Sequence, residues 1–254
     1  MGTLIAVANQ KGGVGKTTTA VNVSACLGKE GYKTLLIDLD PQGNATQGLG
    51  FDKSHLDGTI YTAISGEQPL SNIIKRTSYA NLYLAPSNRE LAGAEIELID
   101  LENREHKLKE KVLPLKNDFD FIIIDCPPAL GLLTVNGLVT AEKVIVPLQC
   151  EYYALEGLGE LLQTILRIRD NFNPDLKILG IVLTMFQHTN LSRQVEIDVR
   201  AHFENIVFQT VIPRNVTLSE APSYGKPVIY YDDKSSGAIA YINLTREILS
   251  RELR

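Results

Sequence analysis

Tryptophan is absent from the 254 residues, methionine occurs twice and cysteine three times. Cys26, Cys126 and Cys150 stand far apart with no C-x-x-C pair, which excludes a disulfide framework, a zinc site and an iron–sulfur ligand set, and leaves buried or half-buried thiols. His55, His106, His188 and His202 show no metal-ligand spacing either and read as surface residues. Long apolar runs are also missing. Stretches such as residues 121–124 are strand-sized, far short of a membrane span. The first residues lack the charged, apolar, small-residue order of a secretory signal, and Ala6 stands where an acylation motif needs Ser or Thr. A soluble cytoplasmic protein is therefore expected. Finally, there is no excess of positive charge: a net charge of −5 excludes a protein coated in basic surface and confines any nucleic-acid contact to a local patch.

What is present is a 44% hydrophobic composition, enough for one large α/β domain spanning residues 1–254. Runs rich in Ile, Val and Leu at residues 3–8, 34–37, 82–84, 121–124, 144–148, 178–184 and 207–212 suit strands buried on both faces of a mainly parallel sheet. Between them, residues 17–29, 102–113, 132–140, 155–169, 191–203 and 238–253 have helical spacing. Alternation of this kind predicts a doubly wound, mainly parallel sheet flanked by helices, with the ligand crevice at the carboxyl ends of the strands. Residues 43–81 are the least regular and read as an elaborated crossover with short helical pieces near Tyr61 and Ile73.

The first strand run is followed by Lys11-Gly-Gly-Val-Gly-Lys-Thr-Thr18, which then opens a helix. Gly12, Gly13 and Gly15, with Val14 between them, let backbone N–H groups turn inward around phosphate oxygens. The helix beginning at Lys16, Thr17 and Thr18 adds its positive end. In a P-loop of this form Lys16 holds the β- and γ-phosphates and the Thr17 hydroxyl ligates Mg²⁺, so ATP and magnesium are the expected ligands. A dinucleotide fold also has an acid about 20 residues on, as Asp38 is here, but its third glycine position is Thr18. Asp125 closes the strand run 121–124 and suits the acid opposite the P-loop; the other use of such a residue is a turn with Cys126-Pro-Pro128. Asp38 and Asp40 stand two apart on one face of their strand. Asp38 joins Thr17 and Asp125 as a candidate metal ligand, while Asp40 either orients the attacking water or closes an Asx turn before Pro41. Lys11 has no task in an ordinary P-loop; as a second cation it can stabilise phosphate on its own or a facing subunit.

Gln10-Lys-Gly-Gly-Val-Gly-Lys-Thr-Thr18 resembles the deviant Walker A loop of the ParA/MinD ATPases. Ile37-Asp-Leu-Asp-Pro-Gln-Gly-Asn-Ala-Thr46, Ile124-Asp-Cys-Pro-Pro128, Pro147-Leu-Gln-Cys-Glu-Tyr-Tyr-Ala-Leu-Glu-Gly157 and Val211-Ile-Pro-Arg-Asn-Val-Thr-Leu-Ser-Glu-Ala-Pro222 resemble the chromosomal ParA (Soj) branch, and the likeness runs along nearly the whole chain. The resemblance implies a homodimer closed face to face around two ATP molecules. Lys11 would cross to the partner's phosphates, with Lys16 and Asp40 completing the catalytic set, and Met185, Pro213, Arg214 and Asn215 would enclose adenine. It further implies slow ATP hydrolysis stimulated by a ParB-type partner, non-specific binding of double-stranded DNA by the ATP-bound dimer, chromosome partition on the nucleoid, and an influence on replication initiation. Tyr152 and Tyr153 either line the dimer face or, as is commoner for such a pair, pack against the sheet.

Two arginines common in such relatives are absent here, where Phe186-Gln-His-Thr189 and Thr217 stand. Residues 186–254 balance eight Lys and Arg against eight Asp and Glu, so the substitutes proposed for DNA contact, Arg193, Arg200, Arg214, Lys226 and Lys234, rest on the resemblance. A MinD-like membrane switch needs an amphipathic terminal helix, but residues 238–254 mix Arg246, Arg251 and Arg254 with Glu247 and Glu252 and read as docked on the core, so no stable membrane association is expected. A metal-cluster ATPase would need grouped cysteines, and a sequence-specific repressor a helix-turn-helix ahead of the P-loop.

Overall fold

The computed structural model describes residues 2–151, 154–203 and 205–252; Tyr152, Tyr153 and the end of the last expected helix lie outside the described residues. Seven strands, β1 (Thr3–Val7), β2 (Thr34–Asp38), β3 (Lys75–Arg76), β4 (Leu82–Ala85), β5 (Phe121–Asp125), β6 (Lys143–Gln149) and β7 (Lys177–Thr184), form one sheet in the order β3-β4-β2-β5-β1-β6-β7. All neighbours are parallel except β3 against β4. The helices are α1 (Lys16–Lys29), α2 (Asn44–Gly48), α3 (Ile60–Ile64), α4 (Leu70–Ile73), α5 (Leu91–Glu97), α6 (Lys107–Val112), α7 (Leu132–Thr140), α8 (Ala154–Asn171), α9 (Asn190–Phe203), α10 (Val216–Glu220), α11 (Val228–Tyr231) and α12 (Ser236–Glu252).

The strands are apolar at successive positions because both faces of the sheet are covered. Leu4, Ala6, Leu35, Ile37, Ile122 and Ile124 point into a core shared with α3 to α8. Their alternates Ile5, Val7, Leu36, Phe121 and Ile123 point into a second core with α1, α11 and α12. Each such side chain, taken wholly out of water, contributes about 1.5–3 kcal/mol. From β1 the chain crosses by α1 on one face to β2, and from β5 it crosses by α7 on the other face to β6. The loops after β1 and β5 therefore diverge, and a crevice opens at their carboxyl ends. α12 lays Ala238, Tyr241, Leu244 and Ile248 against this core, as expected of a docked helix.

Three local readings are corrected. Residues 207–212 do not form a strand but touch β7 at both ends, Phe208 N donating to Ile181 O at 2.9 Å and Ile212 N to Leu183 O at 2.8 Å. Between these points the Gln209 and Thr210 N–H groups are captured by the Glu247 carboxylate at 2.8 and 3.1 Å, so the ladder cannot continue. Residues 102–113 are interrupted: Asn103 takes a left-handed conformation (φ 53°), and a 3₁₀ turn precedes α6. The Asn136 side chain fixes the break by accepting from Leu108 N and donating to Arg104 O, at 3.0 and 2.8 Å. β3 is an addition to the expected strands, its two charged residues offering no apolar signal.

Candidate nucleotide site

The loop between β1 and α1 is pinned from neighbouring strand ends. Asn9 Nδ2 donates to Pro147 O at 2.7 Å, its Oδ1 accepts Lys11 N at 3.0 Å, and the Thr184 hydroxyl at the end of β7 donates to Val14 O at 2.9 Å. Gly13 (φ 76°) and Gly15 (φ 90°) occupy the left-handed region that side-chain-bearing residues avoid. α1 thus begins with no side-chain cap and no acid in its first turn, and its free N–H groups form a ready anion site. Lys16 folds back across the loop, its ammonium donating to Lys11 O at 2.8 Å. Burial lowers the pKa of this amine, against the opposing pull of Asp125 and Asp40.

Two carboxylates, Asp125 and Asp40, face it, and a third, Asp38, adjoins Asp125. Asp38 and Asp125 are register partners at the ends of β2 and β5. Both oxygens of Asp125 are enclosed without a hydrogen bond; the nearby Thr17 hydroxyl favours its ionised form but stands outside hydrogen-bonding geometry. Burial first, and the Asp38 charge second, hold Asp125 well above the usual carboxylate range. Asp38 is fully served: Oδ2 accepts from the N–H and the hydroxyl of Thr46, each at 2.7 Å, and Oδ1 accepts from Asp40 N at 3.2 Å. Burial nevertheless pushes Asp38 up to about 6. Asp40 forms the Asx turn, Oδ1 accepting Gln42 N at 2.8 Å, with Gly43 N closing on Asp40 O at 2.9 Å. That turn takes only one carboxylate oxygen. No group of three or more His, Cys, Asp or Glu side chains is assembled for a metal among the described residues.

Beside the loop lies a cavity of about 320 Å³ lined by Gly15, Thr18, Met185, Pro213, Asn215 and Tyr241, among others. Its two walls are laced together, Phe186 N donating to Ile212 O and Arg214 N to Phe186 O, both at 3.0 Å. Met185 is in the left-handed region (φ 51°). Asn215 caps α10 by accepting Leu218 N at 3.1 Å. Tyr241 carries no signal in the sequence, where a tyrosine in a terminal helix is simply core; here its hydroxyl meets Thr19 Oγ1 at 3.1 Å beneath the cavity.

The geometry brings Lys16, Thr17, Asp38, Asp40 and Asp125 together but leaves the Lys11 ammonium outside, ion-paired with Glu151 beyond β6 and half exposed. Of the cations considered for DNA contact, Arg200 is committed to the fold: it pairs with Glu196 at 3.0 Å and donates to Phe208 O and Gln209 O. Arg193, Arg214, Lys226 and Lys234 are not tied down in this way, and no ion pair holds them among the described residues. The three thiols are buried, and burial pushes Cys26 and Cys150 up to about 12 and raises Cys126 as well, so they are inert. No described helix is long and apolar enough to cross a membrane.

A parallel sheet whose first strand feeds a glycine loop and an uncapped helix, with Lys16 facing Asp125, defines a P-loop nucleotide-binding protein. Comparison narrows the class. A family profile described as an AAA domain matches residues 2–178. The chain is 49% identical to the chromosome partitioning protein ParA of Myxococcus xanthus, over 99% of this chain and 89% of that protein. It is 51% identical to the sporulation initiation inhibitor protein Soj of Bacillus subtilis, over 98% of each. Among solved structures, one described as cobyrinic acid a,c-diamide synthase from Mycobacterium smegmatis, with bound ADP and magnesium, superposes with a TM-score of 0.88 at 42% identity, covering 100% of this chain and 96% of that one. The chain belongs to the ParA/Soj family of chromosome-partitioning P-loop ATPases.

Proposed function

We propose that this protein is an ATP-driven partition switch: it binds Mg·ATP, closes as a homodimer, holds double-stranded DNA without sequence preference, and lets go after slow hydrolysis stimulated by a ParB-type partner. The observation that carries this reading is the Asp125 carboxylate, buried and unpartnered beside Thr17 and Lys16 at the open end of α1. A buried acid without hydrogen bonds is costly and is kept where a cation arrives to satisfy it. Thr17 and Asp125 would hold the magnesium, which when bound neutralises charge on the β- and γ-phosphates. Asp38, its oxygens engaged by Thr46 and Asp40, anchors the adjoining turn.

Lys16 binds phosphate from within, and the free oxygen of Asp40 orients the water for in-line attack; phosphoryl transfer asks for alignment more than for a strong base. Met185, Pro213, Arg214 and Asn215 enclose the base. Lys11, directed away from its own pocket, supplies the second cation to the nucleotide of a second copy, so that binding of ATP and association of subunits are coupled. The site of action is the cytoplasm, at the nucleoid and without stable membrane association, and replication initiation is a further point of control. Partition takes precedence over diamide synthesis because the partitioning relatives are 49 and 51% identical against 42% for the synthase-described structure.

Calorimetry and light scattering test the scheme together. The parent is expected to bind ATP with magnesium and double in mass, Lys16→Ala to lose binding, and Lys11→Ala to bind ATP while remaining a monomer. A Lys11→Ala chain that dimerises as the parent does would remove the crossing role.

A further inference from the structure

The turn that carries Asp40 is held in place by one threonine. Thr46, on α2, is fully buried, as are Asp38 and Ser87. Its backbone N–H and hydroxyl both donate to Asp38 Oδ2 at 2.7 Å, and the same hydroxyl oxygen accepts Ser87 N, beyond β4, at 2.9 Å. Asp38 Oδ1 in turn accepts Asp40 N at 3.2 Å. The carboxylate is thus locked at one end by Thr46 and uses its other end to fix the main chain of Asp40. From outside, Lys53 Nζ donates to Gln42 O at 2.7 Å. Gly43 (φ 60°) sits so close to Ser87 O and the Lys53 stem that an added Cβ would lie 2.7 and 2.6 Å from them. The turn from Asp40 to Gly43 is therefore gripped on both sides, and the inner grip runs through the N–H and the hydroxyl of one residue, of which only the hydroxyl also ties in Ser87.

We propose that Thr46 is a positioning residue for ATP hydrolysis: by holding Asp38 through its hydroxyl it sets the main chain of Asp40, and hence the aim of the free Asp40 oxygen at the attacking water. The inference rests on the water-orienting reading of Asp40. Valine is isosteric with threonine but leaves Asp38 Oδ2 with only the backbone N–H of position 46 and leaves Ser87 N without its acceptor. The carboxylate can then rotate, and Asp40 moves with it. A small misplacement at the reacting centre costs rate, not affinity, because the P-loop that binds the phosphates is untouched.

Steady-state ATPase assays, titration of a fluorescent ATP analogue and thermal melting decide it on Thr46→Val, Thr46→Ser and Asp40→Ala beside the parent. Thr46→Val is expected to lower kcat by about tenfold to a hundredfold with KM within about twofold, and Thr46→Ser to stay within about threefold of the parent. If Asp40→Ala is slow while Thr46→Val turns over as the parent does, the positioning role is overturned and the Asp40 reading stands. If Asp40→Ala itself keeps parental turnover, the underlying reading fails. A Thr46→Val chain that unfolds or loses analogue binding would give the hydroxyl a purely structural role and overturn the proposal as well.

Discussion

At the residue scale the most informative group is Asp125, because its surroundings make sense only with something added. Its two oxygens have no hydrogen bond, and its register partner is a second buried carboxylate, Asp38. The compensating charge, Lys16, is itself disfavoured by burial. Without nucleotide this arrangement is a cost of about 1–3 kcal/mol for the unmet carboxylate. Asp125→Asn keeps the shape and removes the need either to bury a charge or to take up a proton, as burial now drives Asp125 to do. The apo variant is expected to melt higher than the parent, by about 2–4 °C per kcal/mol recovered in a chain of this size. ATP affinity in the variant should depend less steeply on magnesium, Thr17 and the phosphates remaining to hold the ion. Differential scanning calorimetry with and without Mg·ATP reads both effects, and an apo variant that melts below the parent would show that Asp125 is already satisfied by its own chain.

At the scale of elements, legibility followed the range of the forces involved. β1, β2 and β5 could be read because a strand covered on both faces must be apolar at every position, and Leu4, Ile5, Ala6 and Val7 are. That Lys16, Thr17 and Asp125 would come together could be read because loop, helix start and strand end follow in local order. What escaped was set by distant side chains. Residues 207–212 have the composition of a strand, yet Glu247, from α12, captures their central N–H groups. Arg251 adds to the same junction, donating to Leu179 O and Val207 O at 2.8 and 3.0 Å. Tyr241 and Thr184 came to the cavity beside the P-loop by the same long-range route. Glu247→Ala removes the acceptor of two backbone donors at the half-exposed rim and is expected to lower stability by about 0.5–1.5 kcal/mol. ATP binding should be unchanged. Urea denaturation beside calorimetry checks this, and an unaltered midpoint would mean that water serves Gln209 and Thr210 equally well.

For the whole molecule the proposed function raises the question of how a chain of net charge −5 would hold a polyanion. That sign offers no bulk attraction, so the proposed contact would come from few cations, their number doubled where two copies associate. Arg200 is removed from contention by its bonds to Glu196, Phe208 O and Gln209 O. Arg193 and Arg214 are better placed, because both are tied through their backbones to the segment after β7, Arg193 N to Thr189 O and Arg214 N to Phe186 O. Arg214 lines the cavity beside the P-loop, and Arg193 stands in the first turn of α9, just after the same segment. Arg193→Glu and Arg214→Glu are each expected to weaken ATP-dependent retention of duplex DNA. Each should also flatten the slope of log affinity against log salt, by about one unit for every phosphate that is no longer neutralised. Arg200→Glu should instead lower the melting temperature, since its guanidinium closes backbone carbonyls, and any weakening of DNA binding should track the damage to the fold. Gel retardation across a salt series, with melting measured on the same preparations, separates the two behaviours. An unchanged salt slope in both Arg193→Glu and Arg214→Glu would move the DNA surface away from the β7 loop, to the face that carries Lys226 and Lys234.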